Sequence, residues 1–201
     1  MAKNMQPIAK RCRALGISPT VMGYTGRSKN NSNRTPGSQR RAKKSEYALQ
    51  LIEKQKVKFT YGVLEKQFKR MFERAAVMKG NTGENLLQLL ELRFDNVVYR
   101  AGLANTRAQA RQFVCHGLMT INGKKVDIPS YTVKVGDVIG VRSTRRDLTH
   151  FQQVKEGVTV VVPKWLATDA ANLSATVNEL PLREDIDLPV EENIIVEFYS
   201  R

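Results

Sequence analysis

The chain has 201 residues and a formal net charge of +14, because 33 lysines and arginines outnumber 19 aspartates and glutamates. A surplus of this size favours a polyanionic partner, and nucleic acid is the commonest one. No apolar run approaches the roughly 18 residues that a membrane-spanning helix needs. The start of the chain also lacks the apolar core of a secretion signal. These features exclude a membrane protein and argue against export.

Cysteine usage indicates a reducing compartment and no metal. Cys12 and Cys115 are the only cysteines, which excludes a disulfide framework. Structural zinc sites take four thiolate or imidazole ligands, and Cys12 has no such partners nearby in the sequence. We therefore predict no metal, no other cofactor and no small-molecule substrate.

Residues 1–44 are predicted to form an extended basic arm. They contain no aspartate or glutamate and are rich in glycine, proline, serine and asparagine. Such a segment buries too little apolar surface to offset its ordering entropy, so we expect it to become ordered on RNA. An organellar transit peptide is an alternative, but no sustained amphipathic helix supports it. The RNA-binding candidates of the arm are Arg11, Arg13, Arg34, Arg40, Arg41, Lys43 and Lys44.

Residues 45–91 have the pattern of a helical domain. Between Thr60 and Met78, apolar residues form one stripe, and basic residues lie on the opposite side. A solvated face would explain this for an isolated helix, but the basic segments before and after it favour RNA. The candidates here are Lys54, Lys56, Lys58, Lys66, Lys69, Arg70 and Arg74.

Two predicted helices carry paired arginines. The apolar period of about 3.6 residues from Thr82 to Gly102 predicts one continuous helix. A second helix is predicted from Arg107 to Gly117, since Thr106 and Gln109 have capping-box spacing. Arginine forks bond two phosphate oxygens at once. The arginines that share a side of these helices, and that we assign to RNA, are Arg93, Arg100, Arg107 and Arg111.

Beyond Gly117 the pattern changes to short strands. Asn122-Gly123 suits a tight hairpin turn, and Lys124 and Lys125 after it are further RNA-binding candidates. Residues 92–155 are therefore predicted to be an RNA-binding module of two helices on a small, twisted, mostly antiparallel sheet. Residues 156–177 extend it with a strand at 157–162 and with a short strand or a turn at 163–166, where we interpret Trp165 as a core anchor.

The end of the chain is acidic and shows no catalytic pattern. Residues 178–201 carry seven acidic and two basic side chains. Because this segment would repel phosphate, Glu179, Glu191 and Glu192 are candidates for contact with another protein. Residues 178–193 are predicted to be a loop, and 194–199 a strand. Asp95 is interpreted as a partner for a nearby arginine or for a helix-turn amide rather than as a catalytic acid.

Several segments resemble a ribosomal family. The runs RFDNVVYR at 93–100, TRAQARQ at 106–112 and INGKKVDIPSY at 121–131 resemble the RNA-binding domain named after the fourth protein of the small ribosomal subunit. Residues 53–57, 61–68, 79–87 and 194–200 resemble other parts of that ribosomal protein. The likeness covers nearly the whole chain.

The resemblance implies a non-enzymatic, zinc-free α+β protein of the small subunit of a cytoplasmic ribosome rather than an organellar one. It implies binding to small-subunit ribosomal RNA at a multi-helix junction early in assembly. It also implies contact with the fifth small-subunit protein and other small-subunit proteins, a part in translational accuracy, and a place near the path by which messenger RNA enters. The helical domain of 45–91 would be completed by 178–201, with the module inserted between them.

Two alternatives stay open. One is a free RNA-binding regulator, such as a duplicated copy acting on messenger RNA or in transcription. The other is an RNA-modifying enzyme or a synthetase fragment that carries the module, although the flanking segments are too short for a catalytic domain.

Overall fold

A computed structural model describes residues 7–22, 45–156 and 161–200. Most of the strand predicted at 157–162 lies outside these residues. The helices are α1 (Ile8–Leu15), α2 (Glu46–Thr60), α3 (Glu65–Val77), α4 (Thr82–Glu91), α5 (Phe94–Arg100), α6 (Arg107–Cys115), α7 (Thr149–Glu156) and α8 (Glu192–Tyr199). The strands are β1 (Met119–Ile121), β2 (Lys124–Lys125), β3 (Val138–Val141), β4 (Leu166–Asp169) and β5 (Ser174–Val177).

The chain divides into two compact units. Unit 1 combines the described residues up to Asn85 with those from Asp187 onward, and unit 2 runs from Leu86 to Ile186. Unit 2 is therefore inserted between two sequence segments of unit 1. Helices with an antiparallel sheet give the α+β class that the sequence predicted. No helix of the described chain is both long and apolar enough to cross a bilayer.

The core of unit 2 lies between helices α5 and α6 and one face of the sheet. The described strands are antiparallel in the order β2-β1-β3-β5-β4. Alternate residues of β1 and β3 are buried, as a half-covered sheet requires. Trp165 is 2% exposed in the same core, which confirms its predicted role. The predicted hairpin turn is also confirmed, because Asn122 and Gly123 have positive φ angles of 49° and 76°.

The start of α6 matches the capping prediction with one change. The Thr106 hydroxyl accepts a hydrogen bond from Gln109 N at 3.1 Å. The Gln109 side chain, however, accepts from Asn105 N at 2.8 Å instead of Thr106 N. At the other end, Gly117 has a φ of 66°, the left-handed conformation that ends helices.

The single helix predicted from Thr82 to Gly102 is wrong, because it breaks at Arg93. Arg93 has φ −66° and ψ 136°, an extended conformation. Its backbone bridges to Thr132, and Phe94 N donates to Tyr131 O at 2.9 Å. The loop at Tyr131 and Thr132 therefore pairs with backbone groups of Arg93 and Phe94 that a continuous helix would have paired internally. Tertiary contacts therefore override an apolar period that continues across the break.

The strand predicted at 194–199 is also wrong, because these residues form α8. Branched apolar residues favour strands, but packing against α2 and α3 decides here. Ile195 is fully buried, the Tyr199 ring stacks on Phe72 at 4.5 Å between centroids, and Phe198 lies 5.6 Å from Tyr47. Ile195, Phe198 and Tyr199 are three and four residues apart, so a helix places their side chains on one side, where they pack within unit 1.

Residues 7–22 differ from the extended arm that was predicted. Helix α1 packs on α2, and Cys12 is fully buried in a cluster with Leu15, Met22 and Phe59. Burial raises the pKa of the Cys12 thiol, and a backbone hydrogen bond offsets only part of this rise. Cys12 therefore acts as a small apolar core residue.

Candidate nucleic-acid interface

Helix α3 presents a line of exposed cations. Its buried side faces the core through Phe68 and Ala75. The predicted basic side is confirmed as solvent-facing, and within the described chain none of its cations pairs with a carboxylate. Positions four apart follow one line along a helix. The cations of this α3 face are Lys66, Lys69, Arg70 and Arg74.

The three lysines of α2 are placed differently from the prediction. Lys54 is only 6% exposed, with its Nζ 2.8 Å from Glu65 Oε1 and 4.2 Å from the centre of the Phe198 ring. Lys58 Nζ lies 2.7 Å from Glu65 Oε2. Lys56 pairs with a carboxylate of its own helix. These charges are neutralised within unit 1 and do not extend the open positive face of α3.

Glu65 joins α2 and α3 to the last helix of the chain. Its Oε1 accepts a hydrogen bond from the Tyr199 hydroxyl at 3.0 Å. Partial burial alone would raise the pKa of Glu65, but hydrogen bonds and charges from Lys54 and Lys58 together lower it to about 2. Burial, and then the Glu65 charge, raise the pKa of Tyr199. The pair is therefore a charged acceptor and a neutral donor at neutral pH.

In unit 2, two of the four assigned arginines belong to a buried network around Glu91. This carboxylate is 1% exposed and accepts from Arg100 Nε at 3.0 Å and from Arg100 Nη2. Asn96 donates to Glu91 at 2.6 Å and accepts from Arg107 Nε at 2.8 Å. The Arg107 guanidinium lies over the Tyr99 ring, 4.4 Å from its centre.

The other two arginines meet at Asp95. Arg93 donates to both carboxylate oxygens of Asp95, at 3.1 and 2.8 Å, and Arg111 Nη1 lies 3.7 Å away. Of the two partners predicted for Asp95, the structure shows the arginine. Arg93 is 3% exposed, whereas the Arg111 side chain is 16% exposed and the most accessible of the four.

This burial changes what the paired arginines can do. The exposed arginine face predicted from helical spacing is wrong for Arg93 and Arg100, because both forks are occupied by buried acids. A phosphate that drew either arginine away would break its buried ion pair with Glu91 or Asp95. Breaking a buried ion pair costs about 3–5 kcal/mol. These two side chains are therefore held as parts of the module's interior.

Exposed cations of unit 2 lie elsewhere. Lys124 and Lys125 of β2 are exposed, as expected for a hairpin edge. Three further exposed arginines, Arg142, Arg145 and Arg146, follow β3 directly. These arginines were not among the residues predicted to bind RNA, although three basic residues within five positions form a charge cluster that is visible in the sequence.

The remaining predicted residues differ in accessibility. Arg11 is half-buried, and its Nη2 donates to Gln55 at 3.0 Å, while Arg13 is exposed. Glu179 and Glu191 are exposed, but Glu192 is half-buried. The five other candidates of the arm lie outside the described residues: Arg34, Arg40, Arg41, Lys43 and Lys44. In the described ranges, no group of three or more acidic, histidine or cysteine side chains is arranged to hold a metal.

Comparison with known proteins identifies the relatives of both units. The ribosomal protein S4/S9 N-terminal domain matches residues 3–91, and the S4 domain matches residues 92–139. The boundary between these matches coincides with the end of α4. Small ribosomal subunit protein uS4 of Chloroflexus aurantiacus is 52% identical over 208 residues, and that of Agathobacter rectalis is 50% identical over 205. Protein uS4A of Alkaliphilus metalliredigens is 47% identical over 207 residues, and all three alignments span both chains completely.

Proposed function

The chain belongs to the family of small ribosomal subunit protein uS4, and from this we propose that it binds small-subunit ribosomal RNA as a structural part of the bacterial-type, cytoplasmic ribosome. Members of this family are structural ribosomal proteins and not enzymes. The observation that carries the proposal is the unpaired cationic face of α3 in a chain of net charge +14. Folded RNA is the polyanion that a ribosomal protein meets.

The proposed target is a junction of RNA helices, bound early so that it organises subunit assembly. Side chains cannot enter the narrow major groove of A-form RNA, so proteins recognise folded RNA through phosphates, 2′-hydroxyls and shape. Fixed cations on rigid helices suit this kind of recognition. The described part of the sheet offers no pair of exposed aromatic side chains for stacking unpaired bases, which also favours recognition by shape.

The assigned cations then have two kinds of role. In unit 1, the exposed side chains of α3 would contact phosphates directly. In unit 2, those of β2 would do so, with Arg107 and Arg111 as further contacts. Arg93 and Arg100 would instead be positioning residues that fix α5 relative to the rest of the module. The arm cations and Arg13 would extend the contact along RNA.

Three cations that follow one line along α3 provide the test. Lys66→Gln, Arg70→Gln and Arg74→Gln in one variant removes three charges from adjacent turns. The matched control is Lys134→Gln, Lys155→Gln and Lys164→Gln, which removes three exposed charges that have no assigned role. Affinity for a full-length small-subunit ribosomal RNA transcript is measured at several salt concentrations.

We expect the α3 variant to lower the slope of log affinity against log salt by about 2 to 3, since each lost phosphate contact removes about 0.7–0.9. The control should keep the wild-type slope. Equal slopes for the two variants would contradict a contact through α3. Co-sedimentation of the wild type with small subunits would separate a ribosomal component from a free regulator.

The acidic segment is proposed to contact the fifth small-subunit protein, in a place near the messenger RNA path where it would affect translational accuracy. Phosphate would be repelled by exposed Glu179 and Glu191. Glu192 is less suited to a contact, because its side chain packs on Gly83, where an added Cβ would lie 2.7 Å from Glu192 Cβ.

Charge reversal tests this contact. Glu191→Lys should weaken binding to the purified fifth protein by about tenfold or more while RNA affinity stays at least as high, because a contact with a charged group is worth about 1.5–3 kcal/mol. Glu156→Lys, an exposed acid without an assigned role, is the control. Weaker RNA binding together with unchanged protein binding would contradict the assignment.

A further inference from the structure

An arginine-rich turn lies at the end of β3 in unit 2. Residues Ser143–Arg145 form a short 3-10 helix, flanked by Arg142 and Arg146. Arg142, Arg145 and Arg146 are all exposed. Within the described chain, none of their guanidinium groups forms an ion pair with a carboxylate, in contrast to Arg93 and Arg100.

Backbone hydrogen bonds fix this turn to the sheet. Arg142 N donates to Leu118 O at 2.8 Å, which continues the pairing of β3 with β1 by one step. Arg145 N then donates to Arg142 O at 2.9 Å and closes the turn. The three arginines therefore project from a defined backbone and lose little backbone freedom when they bind a ligand.

Lys125 belongs to β2, which pairs with β1 on the edge opposite β3 and the arginine-rich turn. Its side chain lies against Gly117, where an added Cβ would be 2.3 Å from Lys125 Cε and 3.0 Å from Nζ. Gly117 directly precedes Leu118, whose carbonyl holds the turn through Arg142. Lys125 and Arg142 thus flank one short segment between α6 and β1, and glycine at 117 leaves room for the lysine.

The open sheet face beside this segment carries small polar residues. The strand register places Lys125, Thr120, Gly140 and Ser174 in one row across four strands. Residues directly opposite one another share a face of the sheet, and the other face is the buried one. A row of small side chains permits close approach of a sugar-phosphate backbone. The Thr120 hydroxyl donates to Gly140 O at 3.1 Å, so the Ser174 hydroxyl is the one that can donate to oxygens of that backbone.

We propose that Arg142, Arg145, Arg146 and Lys125 form a binding surface for the phosphodiester backbone of RNA. This inference rests on the proposed function and adds a contact to it. An acidic protein segment is the other ligand chemistry for exposed cations. RNA is favoured because the guanidinium forks bond phosphate oxygens in pairs and the adjoining row of small polar residues leaves space for a bulky backbone.

The acids near this surface do not neutralise it. Asp127 Oδ2 lies 3.7 Å from Lys125 Nζ, but both side chains are about half exposed, at 56% and 51%. Exposed pairs of this kind contribute between about 0 and 1 kcal/mol. Asp147 follows the turn and is exposed. Three arginines and one lysine therefore leave a net positive surface.

The experiment uses the whole chain and a full-length small-subunit ribosomal RNA transcript. One variant combines Arg142→Gln, Arg145→Gln and Arg146→Gln, and the control combines Lys134→Gln, Lys155→Gln and Lys164→Gln from the same unit. Both remove three charges, so a general electrostatic effect is equal in the two. Emission from Trp165, the only tryptophan of the chain and a core residue of unit 2, shows whether each variant is folded.

The arginine variant should lower the salt slope by about 2 to 3 and lose a discrete set of hydroxyl-radical protections on the RNA that the control retains. Replacing the same arginines by lysine should restore most of the slope, because the charge returns without the fork. If the glutamine variant does not fold, the same slopes and footprints are read from the three single glutamine variants, each expected to lower the slope by about 1.

The outcomes separate the two proposals. Failure of the wild type to prefer this transcript over unrelated RNA would overturn the proposed function as a whole. A lower salt slope for the α3 variant, together with an arginine variant whose salt slope and footprint equal those of the control, would overturn only the present inference. Unchanged RNA binding with weakened binding to other small-subunit proteins would likewise overturn it, in favour of an acidic protein ligand.

Discussion

Glu91 is the residue on which the interior of the module depends most directly. Its carboxylate is 1% exposed and accepts hydrogen bonds from Arg100 and Asn96, and Asn96 in turn holds Arg107. Removing one member of a buried charge pair leaves the other charged in a medium of low polarity. A single acid therefore controls the placement of two arginines.

Glu91→Gln should lower the free energy of unfolding of unit 2 by about 3–5 kcal/mol. Urea unfolding followed through Trp165 fluorescence reports this unit selectively, because no other tryptophan is present. Glu156→Gln, a change at an exposed acid of the same unit, should alter it by less than about 0.5 kcal/mol. A similar, small effect of both substitutions would mean that Arg100 does not need its partner.

Cys12 should be chemically inert in the folded chain. It is fully buried, and burial raises the pKa of its thiol, so little reactive thiolate is present at neutral pH. In a Cys115→Ser variant, labelling with a thiol reagent should be slow without urea and fast in urea. Fast labelling of the folded variant would show that α1 is not packed on α2 as described.

At the scale of elements, α8 is held by a polar contact as well as by packing. Glu65 accepts from Lys54, Lys58 and Tyr199, and these bonds connect α2, α3 and α8. Since the pKa of Glu65 is lowered to about 2 from 4.5, the charged carboxylate stabilises the fold above about pH 4.5. This contribution is lost as the pH falls toward 2.

The urea midpoint of the wild type should therefore exceed that of Glu65→Gln at pH 6, and the difference should shrink between pH 4.5 and 2. Far-UV circular dichroism follows the helices of the whole chain, to which unit 1 contributes α1, α2, α3 and α8. Glu73→Gln, at an exposed acid of the same helix, serves as the control. A difference between wild type and Glu65→Gln that stays constant over the acid range would exclude the charge of Glu65 as its cause.

The sequence predicted those elements best whose ends carry their own signals. The cap at Thr106, the stop at Gly117 and the turn at Asn122-Gly123 involve neighbouring residues only, and all three occur as expected. The break at Arg93 depends on a loop almost 40 residues further along the chain, so no local pattern could reveal it. The helix at the end of the chain depends likewise on partners in α2 and α3.

For the molecule as a whole, total charge was informative but helical spacing was a poor guide to exposure. Lys66 and Arg70 occupy an open face, as the amphipathic pattern indicated. Arg93 and Arg100, seven residues apart, also fit a helical period but lie inside, because the chain also supplies Glu91 and Asp95 at the same place. Pairing of this kind depends on three-dimensional contacts that a count of charges along the sequence does not contain.

Exposed charge, rather than total charge, should therefore determine binding. Contacts to about 6–10 phosphates would lower RNA affinity on the order of a thousandfold or more between 50 and 200 mM salt. The α3 and arginine-turn variants lie in different units, so their effects on the salt slope should add when the six substitutions are combined. A combined effect no larger than either alone would indicate that the two surfaces do not bind RNA independently.

The most direct measurement is the affinity of the full chain for small-subunit ribosomal RNA as a function of salt, in the presence of excess unrelated RNA. We predict tight binding to that transcript at low salt, a linear loss of log affinity with log salt, and a smaller slope when exposed cations are neutralised. Affinity that does not depend on salt, or that is equal for unrelated RNA, would contradict a structural role on this RNA.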